Sequence, residues 1–146
     1  MTGVCSTKNV EKIRAIGADH VLDYTKANFA NSGQKFDLIL AVSGDRSIWD
    51  YRRTLTPTGR YVMVGGSNRK LRDALLLGPV LSIGGQKLGN MLARPNQSDL
   101  LVLKDLVEAG KVRPVIERSY QLSEVPEAIR HLETGHASGK LVVTIR

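Results

Sequence analysis

The chain has 146 residues, of which 42% are hydrophobic and 24% are charged. Its 21 lysines and arginines outnumber its 14 acidic residues, which gives a formal net charge of +7. This length and composition are typical of one globular domain. Because the chain has neither an apolar run long enough to cross a membrane nor a basic leader, we expect a soluble, cytoplasmic protein. The single cysteine excludes an internal disulfide, and three histidines far apart in sequence predict no metal site.

The first 24 residues predict a strand, a helix and a second strand. Thr2–Cys5 are small or β-branched, as in a buried strand. Gly17 provides a stop for the helix, after which residues 20–24 are extended again. Apolar residues recur at helical spacing at Val10, Ile13 and Ile16. The pattern is typical of half of a doubly wound α/β unit.

The residues that follow the first strand predict which nucleotide is bound. In a dinucleotide-binding fold, a carboxylate at the tip of the second strand binds the ribose hydroxyl of NAD, whereas basic residues there accept the 2′-phosphate of NADP. The tip here consists of Ser6, Thr7, Lys8 and Asn9. Hydroxyls donate to phosphate oxygens, Lys8 is a mobile charge, and Tyr24 can flank the adenine or donate to the phosphate. The tip therefore favours NADP, and the alternative is a capped helix with a solvated lysine.

Two apolar runs in the middle of the chain predict parallel strands that end on small residues. Residues 38–42 end at Ser43-Gly44, and residues 60–64 end at Gly65-Gly66. Ligands of open α/β sheets bind outside the carboxyl ends of the strands, so these ends are candidates for cofactor contacts. A plain strand-to-helix turn is the alternative. Between the runs, residues 45–55 predict a helix that Pro57-Thr58-Gly59 ends.

The later residues predict further α/β elements. These are a helix over 71–77 interrupted by Gly78-Pro79, an edge strand over Gln86 to Ala93, an amphipathic helix from Ser98 to Ala109, an extended segment over 112–120, a helix from Ser123 to Gly135 and a last strand over 140–145.

Five motifs, in their order and spacing, resemble one family over nearly the whole chain. They are IGADHVLDY at 16–24, FDLIL at 36–40, LTPTGRYVMVG at 55–65, LVEAGKVRPVI at 106–116 and GHASGKLVV at 135–143. They resemble the carboxyl-terminal part of medium-chain dehydrogenases/reductases. Within that superfamily the chain is most similar to the zinc-independent NADPH:quinone oxidoreductase and enone reductase branch.

The resemblance implies an α/β, Rossmann-like, doubly wound and mostly parallel sheet that is incomplete at the N-terminus, since the first strand and glycine-rich turn are missing. Residues 1–146 would form one partial NADP-binding domain, in which 98–146 include elements that in relatives return to the substrate domain. The implied cofactor is NADPH, without zinc. The implied activity of the parent enzyme is hydride transfer to a quinone or enone.

The resemblance also assigns site residues and a partner. The adenosine phosphate end would contact Ser6, Thr7, Lys8, Asn9 and Tyr24. The nicotinamide ribose would contact Val42, Ser43, Gly44, Val64, Gly65 and Gly66. Lys140, in a terminal Gly-Lys motif, would approach the cofactor, with a solvated lysine as the alternative. The strand over 86–93 would pair with its copy in a homodimer.

The missing parts of the family pattern limit the activity that we expect. No residue qualifies as catalytic, and the chain alone is expected to be inactive because hydride transfer needs both reactants held within about 3 to 3.5 Å. A missing central strand leaves two open strand edges. We expect these edges to pair directly or to be filled by a dimer partner.

The positive charge leaves other interpretations open. Basic residues are dispersed and few aromatic residues are available for base stacking, so we do not expect specific nucleic-acid binding. A non-catalytic nucleotide- or RNA-binding module remains the alternative function. The product of a truncated reading frame is a third possibility.

Overall fold

The computed structural model of the chain describes residues 1–43, 46–65, 68–82, 84–135 and 137–145. The predicted cofactor contacts Gly44 and Gly66 lie outside the described residues. The chain divides into two compact units, Met1–Ala93 and Arg94–Arg146. Each unit is described by itself below.

The first unit begins with a parallel strand pair. Strand β1 (Thr2–Cys5) pairs with β2 (His20–Asp23) in a register that sets Thr2 opposite His20 and Cys5 opposite Asp23. A short 3-10 helix, Thr7–Asn9, and helix α1 (Val10–Ala15) connect the two strands. Gly17 has a φ of 104°, as the predicted helix stop requires. The predicted strand, helix and strand are all present.

A second parallel sheet in the same unit has the strand order β3-β4-β5. Its strands are β3 (Phe36–Ala41), β4 (Leu55–Met63) and β5 (Lys87–Asn90), and its helices are α2 (Ile48–Thr54) and α3 (Asn68–Leu81). A 3-10 turn, Phe29–Asn31, precedes β3. Parallel strands connected through helices confirm the predicted α/β fold class.

An aromatic cluster anchors the core of this sheet. The Tyr51 ring centroid lies 5.5 Å from that of Phe29 and 4.6 Å from that of Tyr61. Burial, followed by the influence of Tyr51, raises the pKa of Tyr61 to about 12. The further buried members of the cluster are Ala41, Ile48, Leu55, Met63, Leu81 and Leu88.

The predicted start of one strand and the predicted end of one helix are wrong. Strand β4 begins at Leu55, five residues before the predicted start, and the Pro57-Thr58-Gly59 segment lies inside it. Leu55 pairs with Phe36 whereas Arg60 pairs with Leu38, so the segment is accommodated in a register shift. Helix α3 also continues through Gly78-Pro79 to Leu81.

The second unit contains one parallel strand pair and two helices. These elements are α4 (Gln97–Glu108), β6 (Ile116–Gln121), α5 (Val125–Glu133) and β7 (Lys140–Thr144). A 3-10 turn, Leu122–Glu124, precedes α5. The Asn96 side chain caps α4 by accepting from the Asp99 amide at 2.9 Å. Gly110 and Gly135 follow the helices at φ values of 68° and 67°, as predicted.

The expected direct pairing across the missing central strand does not occur. Among the described residues, β1 pairs only with β2, and β3 pairs only with β4. Each of these two strands therefore keeps one unpaired edge. No helix in the described part of the chain is both long and apolar enough to cross a membrane.

Candidate functional site

The predicted phosphate-binding residues meet at the carboxyl ends of β1 and β2. The Tyr24 amide donates to the Cys5 carbonyl at 3.0 Å, which sets Tyr24 beside the tip that Ser6 begins. The Asn9 amide donates to the Ser6 carbonyl at 2.9 Å and closes the 3-10 turn. Thr7 and Lys8 are exposed, and Tyr24 is half exposed. Backbone pairing thus brings all five predicted adenosine contacts to one edge of the strand pair.

A carboxylate that the sequence analysis missed lies at the same edge. Asp23 ends β2, and its Oδ2 accepts from the Thr7 hydroxyl at 2.6 Å. Its Oδ1 accepts from the Thr25 hydroxyl at 2.7 Å and from the Thr25 amide at 2.9 Å. The Thr7 hydroxyl, and next the Thr25 hydroxyl, lower the pKa of Asp23, so the group is ionised at neutral pH.

This network changes what the tip offers to a nucleotide. Because the Thr7 hydroxyl proton is directed to Asp23, a phosphate oxygen would have to compete with a carboxylate for that donor. The side chains of Ser6, Lys8 and Asn9 can still donate to a phosphate. The signal was present in the sequence, since Asp23 is the last residue but one of the second predicted strand and the carboxyl ends of neighbouring parallel strands meet. Only the strand register, which sets Cys5 opposite Asp23, shows that Asp23 lies beside this tip.

A second group of predicted contacts lies where β3 and β4 end. The Val64 and Gly65 amides both donate to the Ala41 carbonyl, at 2.9 and 3.3 Å. A Cβ atom on Gly65 would overlap the Val42 carbonyl oxygen, so glycine is needed for this close backbone approach. Residues 42 and 65 are therefore adjacent, as the prediction for the nicotinamide ribose requires.

A cleft of about 720 Å³ is lined by some members of both groups. Tyr24, Val42 and Ser43 all line it, together with the exposed edges of β1 and β3. Phe29 and Tyr51 from the aromatic core also line it. The cleft combines the apolar side chains of β3 with polar groups that include Ser43 and Arg46, and ligand sites commonly combine apolar walls with a few polar groups.

Lys140 lies in the second unit, at the first position of β7. Its amide donates to the Val115 carbonyl at 2.7 Å. The preceding turn is held by Glu117, whose carboxylate accepts from the Ser138 amide and lies 3.2 Å from His131 Nε2. Lys140 therefore follows a fixed turn, and its side chain is exposed.

The described residues do not fit a zinc site or a cysteine nucleophile. No three side chains of His, Cys, Asp or Glu come together as metal ligands within the described ranges. Burial and, second, the Asp23 charge raise the pKa of the Cys5 thiol, which disfavours a reactive thiolate. The arrangement provides hydroxyl, amide and lysine groups that can bind a ligand.

Comparisons with known proteins identify similar chains. Residues 16–143 match a family model described as zinc-binding dehydrogenase. A mitochondrial NAD(P)H oxidoreductase of Bos taurus is 32% identical over 99% of this chain and 41% of its own length. A chloroplastic NADPH-dependent alkenal/one oxidoreductase of Arabidopsis thaliana is 29% identical over 98% of this chain and 33% of its own.

A solved structure shows the same fold. The quinone oxidoreductase from Coxiella burnetii superposes with a TM-score of 0.78 at 29% identity, over 99% of this chain and 44% of that one. The chain thus spans less than half the length of these relatives.

Proposed function

Because the chain belongs to the zinc-binding dehydrogenase family, we propose that it forms part of the cofactor-binding domain of an NADPH-dependent oxidoreductase. The observation that carries the proposal is the convergence of Ser6, Lys8 and Tyr24 at the carboxyl ends of β1 and β2. Ligands of α/β sheets bind at such ends. An exposed lysine beside a hydroxyl is suited to a phosphate that NADPH carries and NADH lacks.

The residues of the chain bind and orient the nucleotide in this proposal. Ser6 and Lys8 hold the 2′-phosphate, while the Tyr24 ring covers the adenine. Val42, Ser43 and Gly65 bring backbone close to the nicotinamide ribose. The bound cofactor supplies a hydride.

The proposed acceptor of the whole enzyme is a quinone or an activated carbon–carbon double bond. The names of the relatives support this class, since they include a quinone oxidoreductase and an alkenal/one oxidoreductase. We propose no catalytic residue in this chain. The isolated chain is expected to bind nucleotide without turning over, because its described cleft is open between β1 and β3.

Calorimetric titration of the purified chain with NADPH and NADH tests the proposal. We expect selective NADPH binding, weakened about tenfold to hundredfold in Lys8→Ala through loss of a charge-assisted phosphate contact. Lys104→Ala, which removes the same charge from the second unit, should bind like the parent. Equal affinity for both nucleotides would contradict the phosphate assignment. Absence of binding to either one would overturn the proposed function.

A further inference from the structure

A second pocket in the first unit lies at the opposite end of the β3-β4-β5 sheet from the predicted cofactor contacts. Lys35 precedes β3, Leu55 begins β4 and Gln86 precedes β5, so the pocket lies at the amino ends of three parallel strands. Its volume of about 430 Å³ is within the usual range for small-molecule sites. None of the predicted site residues lines it. The residues that line this amino-end pocket are Lys35, Trp49, Arg52, Arg53, Leu55 and Gln86.

The lining of the amino-end pocket is basic. Lys35, Arg52 and Arg53 are cations, and none of the lining residues is acidic. Arg53 Nη2 forms an ion pair with Asp50 on the same helix. In the part of the chain that the structure describes, no carboxylate forms an ion pair with Lys35 or Arg52. The pocket is therefore left with two positive charges that no described carboxylate balances.

The Arg52 side chain lies against an aromatic ring and has an unused donor. Its guanidinium carbon lies 5.9 Å from the centroid of the Trp49 ring, a cation–π contact across one helical turn. Its Nε atom is buried and has no hydrogen-bond partner among the described residues. A buried N–H without an acceptor is costly, and the strongest acceptor for a guanidinium is an ionised oxygen. Arg52 therefore offers a donor for an anion beside an indole ring.

Capping of helix α2 does not explain the Arg52 guanidinium. Cations are favourable at a helix C-terminus because the last carbonyls there lack partners. Two of these carbonyls already have donors, since Lys35 Nζ donates to the Arg53 carbonyl and Gln86 Nε2 donates to the Arg52 carbonyl at 3.2 Å. An ammonium group has three donors, so Lys35 keeps further donors for a ligand. The cap thus fixes the position of Lys35 without using its whole capacity or that of Arg52.

The charge and the shape of the pocket select a class of ligand. Two unbalanced cations match a phosphate monoester, whose charge is about −1.5 to −2 at neutral pH. Arginine binds phosphate through paired N–H donors, and lysine binds it as a point charge. Trp49 is 50% exposed, so part of its indole ring is available to stack on a planar ring.

We propose that the amino-end pocket is a second binding site of the chain, for a small aromatic compound that carries a phosphate group. Arg52 and Lys35 bind the phosphate, and the Trp49 indole stacks on the aromatic ring of the ligand. The site is separate from the carboxyl ends of β1 and β2. The proposal does not depend on nucleotide binding there.

Calorimetric titration of the full chain with phenyl phosphate tests the site. Phenol is the control for the ring, and inorganic phosphate is the control for the charge. We expect phenyl phosphate to bind at least about tenfold more tightly than either control, because each control lacks one of the two contacts. Trp49 is the only tryptophan of the chain, so its fluorescence reports whether the bound ring reaches this pocket. Absence of binding, equal affinity for phenol, or binding that leaves the tryptophan fluorescence unchanged would overturn the proposal.

Matched variants locate the phosphate contact. Arg52→Gln should weaken phenyl phosphate binding about tenfold to hundredfold, and Lys35→Gln should weaken it about threefold to tenfold. Arg113→Gln removes one positive charge from the second unit and should have no effect. Lys8→Ala should also bind like the parent, which separates this site from the proposed cofactor site.

Circular dichroism of each variant shows whether it has kept the parent fold. Equal weakening by Arg52→Gln and Arg113→Gln would reduce the binding to the net charge of the chain and overturn the site. Parent-like affinity in both Arg52→Gln and Lys35→Gln would also overturn it. If Arg52→Gln fails to fold, the Lys35→Gln variant alone decides between these outcomes.

Discussion

At the scale of single residues, Asp23 is the group that would oppose the proposed phosphate binding at the tip. Its carboxylate is ionised and accepts hydrogen bonds from the hydroxyls of Thr7 and Thr25. Lys26 Nζ lies 3.9 Å from its Oδ2. A negative charge at this position would repel a 2′-phosphate in the proposed site at Ser6 and Lys8.

The substitution Asp23→Asn is therefore expected to improve NADPH binding. Removing the charge should raise NADPH affinity about twofold to fivefold, the range of exposed charge interactions, and should change NADH affinity less. Calorimetric titration of both nucleotides measures the effect. Asp105→Asn, the same change in the second unit, should leave both affinities unchanged. Weaker NADPH binding in Asp23→Asn would mean that the carboxylate serves mainly to shape the tip.

Tyr120 makes a second prediction at this scale. Its side chain is 1% exposed, and its hydroxyl is buried with no hydrogen-bond partner among the described residues. The Arg118 guanidinium carbon lies 4.5 Å from the ring centroid, a contact that phenylalanine would keep. Tyr120→Phe should leave the free energy of unfolding unchanged or raise it by about 1 kcal/mol.

Urea unfolding of Tyr120→Phe and Tyr120→Leu distinguishes the hydroxyl from the ring. The leucine variant loses ring packing and should be less stable by about 2 kcal/mol or more. A phenylalanine variant destabilised as strongly as the leucine variant would show that the hydroxyl has a partner.

At the scale of elements, the turn before β7 depends on one ionised side chain. Glu117 lies at a register shift between β6 and β7, so its carboxylate reaches the Ser138 amide. The Ser138 amide, more than the His131 contact, lowers the pKa of Glu117 below its usual 4.5. The stabilisation is present above pH 4.5 and is lost as the pH falls through the lowered pKa of the folded state.

Glu117→Gln should therefore unfold at lower urea than the parent at neutral pH, and the difference should shrink as the pH falls below 4.5. Urea midpoints across this pH range, followed by circular dichroism, provide the measurement. Glu133→Gln on α5 is the control and should be nearly neutral. A difference between Glu117→Gln and the parent that persists unchanged in acid would exclude the carboxylate as its source.

The edge of β5 offers fewer backbone groups to a second copy than the predicted dimer interface assumed. The structure forms a strand only over 87–90 of the predicted 86–93. The Leu88 amide donates to the Ser82 hydroxyl at 2.9 Å, so that part of the edge is already used. The Met91 amide donates to β4, and by strand alternation the Asn90 amide faces the other edge.

If the chain dimerises by continuing this sheet, Asn90→Pro should convert the dimer to a monomer, because proline has no amide to donate. Asn90→Ala keeps the amide and should remain dimeric. Sedimentation velocity of the three proteins measures the assembly state. A parent chain that sediments as a monomer would contradict the predicted dimer, and a proline variant that remains dimeric would move the interface elsewhere.

Local sequence signals explain which elements were predictable. β1, α1 and β2 follow from apolar spacing and a glycine stop, which act within a few residues of each other. The early start of β4 was missed because Pro57 and Gly59 normally end a strand, and only the register shift opposite Phe36 accommodates them. The contribution of Asp23 was missed for the same reason, since it depends on pairing between strands.

At the scale of the whole molecule, the chain has a larger solvent-accessible area than folded chains of its mass usually have. Its accessible area is 10705 Å². Even two separately folded bodies with the lengths of its two units would expose about 8,800 Å². The excess includes large apolar side chains along β1, β3 and α4. The positions of these side chains were predictable, whereas their exposure was not, because an amphipathic pattern does not identify the surface that covers it.

Helix α4 provides the last prediction. Leu100 and Leu103 share one side of this helix and are 63% and 52% exposed. Replacing both with glutamine should reduce binding of the hydrophobic dye ANS while changing the free energy of unfolding by no more than about 0.5 kcal/mol. Leu55→Gln, at a position that is 2% exposed, should instead destabilise the chain by several kcal/mol, about as much as other polar burials in a core. Large destabilisation of the double variant would mean that α4 already packs against the rest of its unit and that its leucines are not an open surface.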